Sequence, residues 1–256
     1  MNTSQRSPKS FDMEIIPVLD ILNGVVVRGV AGQRDRYRRV NSRLTPSCDP
    51  SVIMRAIADQ FDLRRFYIAD LDAIQFQQLN RCTVAELACG QASLIVDRGV
   101  RSPADVEELL DLGVGQVVVA LETLNGPDTA RNLVSTFGAE QLVLSLDLKN
   151  GRPMTANPGW SNAESFDIAQ ELIDVGMRHM IVLDLAAVGV GAGTPTIDLC
   201  RRLRSRLPDG TIITGGGVSD SADLRRIESV GVNGALVASA LHDGRLSAED
   251  VCAFNS

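Results

Sequence analysis

Short, unbroken apolar runs recur along the chain at Glu14–Leu19, Arg65–Ala69, Ser93–Val96, Gln116–Ala120, Gln141–Leu146, His179–Leu183, Thr211–Thr214 and Gly234–Ala238. They are continuous rather than alternating, the pattern of parallel strands covered on both faces. Between them lie segments of helical period. Ser102-Pro103 reads as an N-cap with proline at the first helical position, and Val106, Leu109 and Leu110 form the buried stripe. Ser247-Ala248-Glu249-Asp250 resembles a capping box with Asp in the last place. Gly113, Gly138, Gly176 and Gly231 stand where helices should stop. A hairpin over Val25–Val30 follows the first strand, then a loop with Arg34, Arg36, Arg38 and Arg39 around Tyr37. Strands alternating with helices in this way fit a barrel or a doubly wound sheet.

A near-repeat favours the barrel. Leu19-Asp20-Ile21-Leu22-Asn23-Gly24 returns as Leu146-Asp147-Leu148-Lys149-Asn150-Gly151, and Gly99-Val100-Arg101-Ser102-Pro103-Ala104-Asp105 returns as Gly217-Val218-Ser219-Asp220-Ser221-Ala222-Asp223. Such a repeat is much longer than a solenoid unit. The expectation is an α/β fold: a (β/α)8 TIM barrel with half-barrel internal duplication, in which Asp20 and Asp147 face each other across a shared centre. A barrel of this kind typically takes about 250 residues, against 256 here. Residues 1–12 are polar and read as a disordered tail, and 13–256 as one barrel domain.

Composition narrows the partners. A formal charge of −7 argues against general nucleic-acid or anionic-membrane binding, while leaving room for a small anionic ligand held by local donors. The five cysteines are scattered with no CxxC pair, which suits reduced thiols in a cytoplasm. No run of eighteen apolar residues is present to span a membrane.

Barrel active sites lie at the C-terminal strand ends. Those ends carry Asp20, Asp70, Asp97-Arg98-Gly99, Glu122, Asp147, Asp184, Gly215-Gly216-Gly217 and Ala238-Ser239. The three glycines let backbone N–H groups approach an oxyanion, a helix starts at about Asp220, and Ala238-Ser239 add donors, so a phosphate is expected there. The matching place in the first half offers Asp97 and Glu122, which would repel a second phosphate unless Arg98 or Arg101 neutralised them. Asp20 and Asp147 form the best acid–base pair, since a carboxylate ending an apolar strand is costly without a role. His179 opens its strand and belongs on the opposite face, and His242 follows the eighth strand, where it could touch a phosphate but reads more simply as an ordinary surface residue. No Ser/His/Asp or His/Cys set is visible, so neither metal nor cofactor is expected.

Ile16-Pro17-Val18-Leu19-Asp20 with Gly24-Val25-Val26-Val27-Arg28-Gly29, Asp70-Leu71-Asp72-Ala73, Ser145-Leu146-Asp147, Pro158-Gly159-Trp160, Gly216-Gly217-Val218 and Ala240-Leu241-His242-Asp243-Gly244-Arg245 resemble the histidine-biosynthesis barrels. That family holds a ribotide isomerase and the cyclase of imidazole glycerol phosphate synthase. The resemblance runs from about Met13 to Phe254. It implies an Amadori aldose–ketose rearrangement with Asp20 as general base and Asp147 as general acid. It also implies a mobile loop bearing Trp160 over the substrate, and contacts from Arg28, Asp70, Arg98, Arg101 and Asp184. Family substrates carry two phosphates, yet the usual glycine-rich first-half loop is Asp97-Arg98-Gly99 here, and a Gly-Thr after the fourth strand is Ala120-Leu121. A divergent isomerase acting on a monophosphorylated substrate is therefore expected. Three alternatives stand beside it: an ammonia-dependent cyclase with a glutaminase partner, a one-carbon-cofactor biosynthesis enzyme, and a non-catalytic binder of a phosphorylated ligand.

Overall fold

The computed structural model describes residues 13–254, so the expected tail 1–12 lies outside the described residues. The strands are β1 (Glu14–Leu22), β2 (Val25–Arg28), β3 (Arg38–Arg39), β4 (Arg65–Asp70), β5 (Ser93–Asp97), β6 (Gln116–Ala120), β7 (Leu142–Lys149), β8 (Arg152–Pro153), β9 (His179–Asp184), β10 (Thr211–Gly215) and β11 (Gly234–Val237). Eight of them, in the order β1, β4, β5, β6, β7, β9, β10, β11, run parallel and close on themselves through β11 and β1. The remaining three form antiparallel extensions: β2 and β3 beyond β1, and β8 beside β7. The fold is a closed (β/α)8 barrel.

Around it lie α1 (Pro50–Phe61), α2 (Leu71–Phe76), α3 (Arg81–Ala88), α4 (Pro103–Asp111), α5 (Pro127–Phe137), α6 (Ser165–Asp174), α7 (Ile197–Arg206), α8 (Ser221–Glu228), α9 (Ser239–His242) and α10 (Ala248–Cys252). Among the described residues, no helix is long and apolar enough to cross a membrane. The start signals are real. The N–H and hydroxyl of Ser102 donate to Asp105 at 2.9 and 3.0 Å, and those of Ser247 donate to Asp250 at 2.9 and 2.8 Å.

Period two explains the two cores. Ile16, Tyr67, Ile95, Val118, Val143, Ile181, Ile213 and Leu236, one from each barrel strand, pack together inside the barrel. Their neighbours along each strand, such as Ile15, Leu19, Ile68 and Val96, join the larger core under the helices. Counting by twos from the inner set reaches Asp20 on β1, Asp97 on β5 and Asp147 on β7, so these carboxylates crown the barrel interior. The same count puts Asp70 and Asp184 on the outer face.

The sequence repeat is visible in the backbone. The β1–β2 turn has Asn23 and Gly24 at φ 51° and 73°, and the β7–β8 turn has Asn150 and Gly151 at 53° and 76°. Both residues are left-handed, as a two-residue hairpin of the primed type requires. Aspartates hold the two turns alike, Asp72 in the first turn of α2 just after β4 and Asp184 at the end of β9. Asn23 N–H donates to Asp72 at 2.7 Å, and the N–H groups of Asn150 and Gly151 donate to Asp184 at 3.1 and 2.8 Å.

Candidate active site

A cavity of about 550 Å³ occupies the C-terminal mouth of the barrel, a volume that suits a small ligand. Asp20, Asp147, Arg28, Gly216, Gly217, Ala238 and Ser239 line it, as do Asp97 and Glu122. Asp20 and Asp147 stand on β1 and β7, first and fifth in the ring of eight strands, and so face each other. Their surroundings differ. Asp147 is buried and accepts the Ser145 hydroxyl at 2.9 Å, whereas Asp20 is half-buried. Asp20 lies against the bare backbone of Gly29: a Cβ there would sit 2.8 Å from Asp20 Oδ2 and 3.4 Å from the Tyr37 hydroxyl.

Tyr67, from the barrel's inner layer, rises into the same centre and donates its hydroxyl to Asp97 at 3.3 Å. Burial pushes this phenol well above its ordinary value, and the carboxylates of Asp97, Asp147 and Asp20 push the same way. It therefore stays a hydrogen-bond donor. Tyr67 is not among the residues expected from the sequence, where its signal is a lone tyrosine in an otherwise aliphatic inner layer.

The glycine loop is built to leave its donors toward the cavity. Gly216 and Gly217 adopt φ of +79° and +86°. Their carbonyls accept from Thr194 Oγ1 at 3.2 Å and from Gly193 N–H at 3.1 Å. Among the described residues, no hydrogen bond to a protein acceptor is recorded for the N–H groups of Gly217, Ser239 and Ala240. Two details depart from expectation. Gly215 is the last residue of β10 and does not line the cavity. The start of α8 is already occupied, because Asp220 accepts the N–H groups of Ala222 and Asp223 at 2.9 and 3.0 Å.

Several residues expected to touch a substrate lie elsewhere. Asp70 is fully buried and accepts from Ala73 N–H, Asn80 N–H and the Asn80 side chain at 3.1, 2.7 and 2.8 Å. Asp184 accepts from Ala186 as well as from the β7–β8 turn. Both fasten loops from the outer side of the sheet. Arg98, one residue past the inward Asp97, turns outward to α4 and pairs with Asp105 at 3.1 Å and with Glu108. Arg101 donates to the carbonyls of Gly99 and Ile74 at 2.7 and 3.0 Å. Trp160 packs in the outer core and donates its indole N–H to Glu171 on α6 at 2.8 Å, away from the cavity. Of the six, only Arg28 lines the cavity, bound through both nitrogens to Asp243 at 3.1 and 3.2 Å.

His242 corrects another expectation. It is buried, not on the surface, lines the cavity beside Ser239, and places Nδ1 3.0 Å from Ser42 Oγ. Burial pulls its pKa down to about 4, with Arg28 adding to the fall and Asp243 opposing it. An unfolded imidazole titrates near 6.5, so the unfolded chain binds this proton first. The associated stability is fully present above about pH 6.5 and is lost as pH falls toward 4, by at most about 3 kcal/mol. Denaturant unfolding across that window should show the slope, and His242→Gln should flatten it. An unchanged slope in the variant would assign the proton to another group.

The family profile described as Histidine biosynthesis protein matches residues 14–247. A relative from Syntrophomonas wolfei is 32% identical over 246 residues, covering 93% of this chain and 96% of that protein. One from Vibrio cholerae is 31% identical over 258 residues, covering 93% and 98%. Another from Cytophaga hutchinsonii is 27% identical over 249 residues, covering 95% and 100%. All three bear the name 1-(5-phosphoribosyl)-5-((5-phosphoribosylamino)methylideneamino)imidazole-4-carboxamide isomerase.

Proposed function

The chain belongs to the histidine biosynthesis protein family, and on that footing we propose that it is an aldose–ketose isomerase working through Asp20 and Asp147 on a monophosphorylated aminosugar. The observation that carries this reading is the pair of carboxylates crowning opposite strands of one cavity whose perpendicular wall offers unengaged N–H donors. A phosphate on Gly216, Gly217 and Ser239 would anchor the sugar with its C1–C2 bond between the two acids.

The chemistry needs one proton given and one removed. Asp147 delivers a proton to the ring oxygen as the C1–O bond breaks, and the amine lone pair forms the C1=N double bond of an iminium ion. Asp20 then takes the C2 proton, giving an enolamine that tautomerises to the 1-amino ketose. Each such positioned group contributes about 10²–10⁴-fold. The Tyr67 phenol, kept protonated, holds Asp97 at the edge of this centre.

The single phosphate follows from the opposite wall. The relatives' name contains two phosphoribosyl groups, whereas this cavity has Asp97 and Glu122 on the wall opposite the glycine loop. Carboxylates repel a dianion strongly in a cleft of low dielectric, and Arg98 and Arg101, the cations expected there, are engaged elsewhere. Calorimetric titration with the relatives' substrate tests this. Binding weaker than inorganic phosphate plus a short sugar phosphate is expected. Micromolar binding with measurable isomerisation would overturn the monophosphate reading and leave an ordinary member of the family.

A further inference from the structure

We infer that Arg245 is a further phosphate-binding residue, the cation that draws a phosphorylated ligand to one end of an otherwise acidic cavity. This deepens the monophosphate reading and rests on it. Asp20, Asp97, Glu122 and Asp147 line the cavity together, and their field repels any anion that enters. Backbone N–H groups carry only partial charges, so the glycine loop alone has little to set against that field. Among the described residues, the cationic side chains lining the cavity are Arg28, Lys149 and Arg245. Lys149 ends β7, across the ring from β1, which leaves the two arginines for the phosphate end.

Arg245 is tied to the phosphate wall through the backbone. Asp243 N–H donates to the Ser239 carbonyl at 2.8 Å, and Arg245 N–H donates to the Ala240 carbonyl at 3.0 Å. From there the guanidinium reaches the neighbourhood of the glycine loop. A Cβ at Gly191 would stand 3.4 Å from Arg245 Nη1 and 4.0 Å from Ser219 Cβ. Ser219 follows Gly217-Val218 directly in the chain.

The two arginines are engaged differently. Arg28 spends both terminal nitrogens on Asp243, at 3.1 and 3.2 Å. Arg245 reaches the same carboxylate with Nη2 alone, at 3.2 Å. A guanidinium carries five N–H donors, so the rest of the Arg245 fork is left for a ligand. One carboxylate also cannot neutralise two guanidiniums, and this corner of the cavity keeps a net positive charge. With its side chain 36% exposed, Arg245 stands at the mouth, where a phosphate enters. Its planar fork matches phosphate oxygens in pairs, which an ammonium group does not.

Calorimetric titration of the full chain with inorganic phosphate, at low and at moderate salt, tests this. Arg245→Gln should weaken binding about fivefold and flatten its salt dependence. Asp243 keeps Arg28 as its partner, so no carboxylate is stranded and the variant should fold, which circular dichroism checks. Arg245→Lys restores the charge without the fork and should fall between that variant and the parent. Arg131→Gln on α5 makes the same change in net charge away from the cavity and should bind like the parent. Parent-like affinity and salt dependence in Arg245→Gln would overturn this inference alone and leave the anion on the backbone donors. An equal loss in Arg131→Gln would also overturn it, since net charge would then account for the effect. If inorganic phosphate fails to bind the parent, the anion site is wrong and the inference falls with it.

Discussion

Replacing Asp20 or Asp147 with asparagine is expected to remove at least about a hundredfold of turnover while leaving the fold and phosphate binding in place. Asparagine keeps the shape and volume of each side chain. At position 147 its carbonyl oxygen can still accept the Ser145 hydroxyl, now held at 2.9 Å, and at position 20 it meets the same bare backbone of Gly29. What disappears is the capacity to hold and release a proton. The loss should therefore fall on kcat with little change in affinity, because the phosphate is gripped on another wall of the cavity. The double variant should be scarcely worse than the weaker single variant, since a proton given and a proton taken serve one rearrangement. Steady-state kinetics with the true substrate, beside phosphate titration and circular dichroism, gives the answer. Near-normal turnover in both single variants would remove the pair from the mechanism.

The barrel was legible in the chain because continuous apolar runs leave parallel strands few alternatives, and the repeat of Leu19–Gly24 at Leu146–Gly151 implied an even split. The placement of Asp20 and Asp147 on opposite strands of one cavity was legible for the same reason. Strand ends alone, however, do not tell inside from outside. Asp70 and Asp184 end their strands as Asp20 and Asp147 do, yet they fall on the other parity, where they fasten turns to the outer face. Counting by twos from Tyr67 and Ile181 would have separated them. Arg98 fails by the same step of one residue past Asp97, and two carboxylates on α4 hold it there. The burial of His242 is not legible locally, because its neighbours in sequence form a helix start while the ring meets Ser42, distant in the chain. Trp160 could not be placed from sequence, since its partner Glu171 lies on the next helix and nothing in the local pattern pairs them.

Gly217→Ala should cost roughly 3 kcal/mol of stability and at least about tenfold in phosphate affinity. Two separate penalties meet at this position. Its φ of +86° lies in the left-handed region, which a side chain disfavours by about 1 kcal/mol or more. The added Cβ would also stand 2.3 Å from the Gly193 carbonyl oxygen, a backbone atom on the loop after β9. That loop is fixed at both ends of the mouth. Gly193 N–H donates to Gly217 at 3.1 Å, and Val188 accepts from Ala31 at 2.8 Å beside the β1 hairpin. Relief therefore requires the glycine loop to move, and the N–H groups of Gly216 and Gly217 move with it. Gly151→Ala separates the two penalties. Its φ of +76° is equally left-handed, but a Cβ there meets nothing within 4 Å. That variant should lose only about 1 kcal/mol and bind inorganic phosphate normally. Denaturant unfolding and phosphate calorimetry on both variants measure the contrast. Equal phosphate affinity in Gly217→Ala and the parent would mean that the anion is not held by this loop.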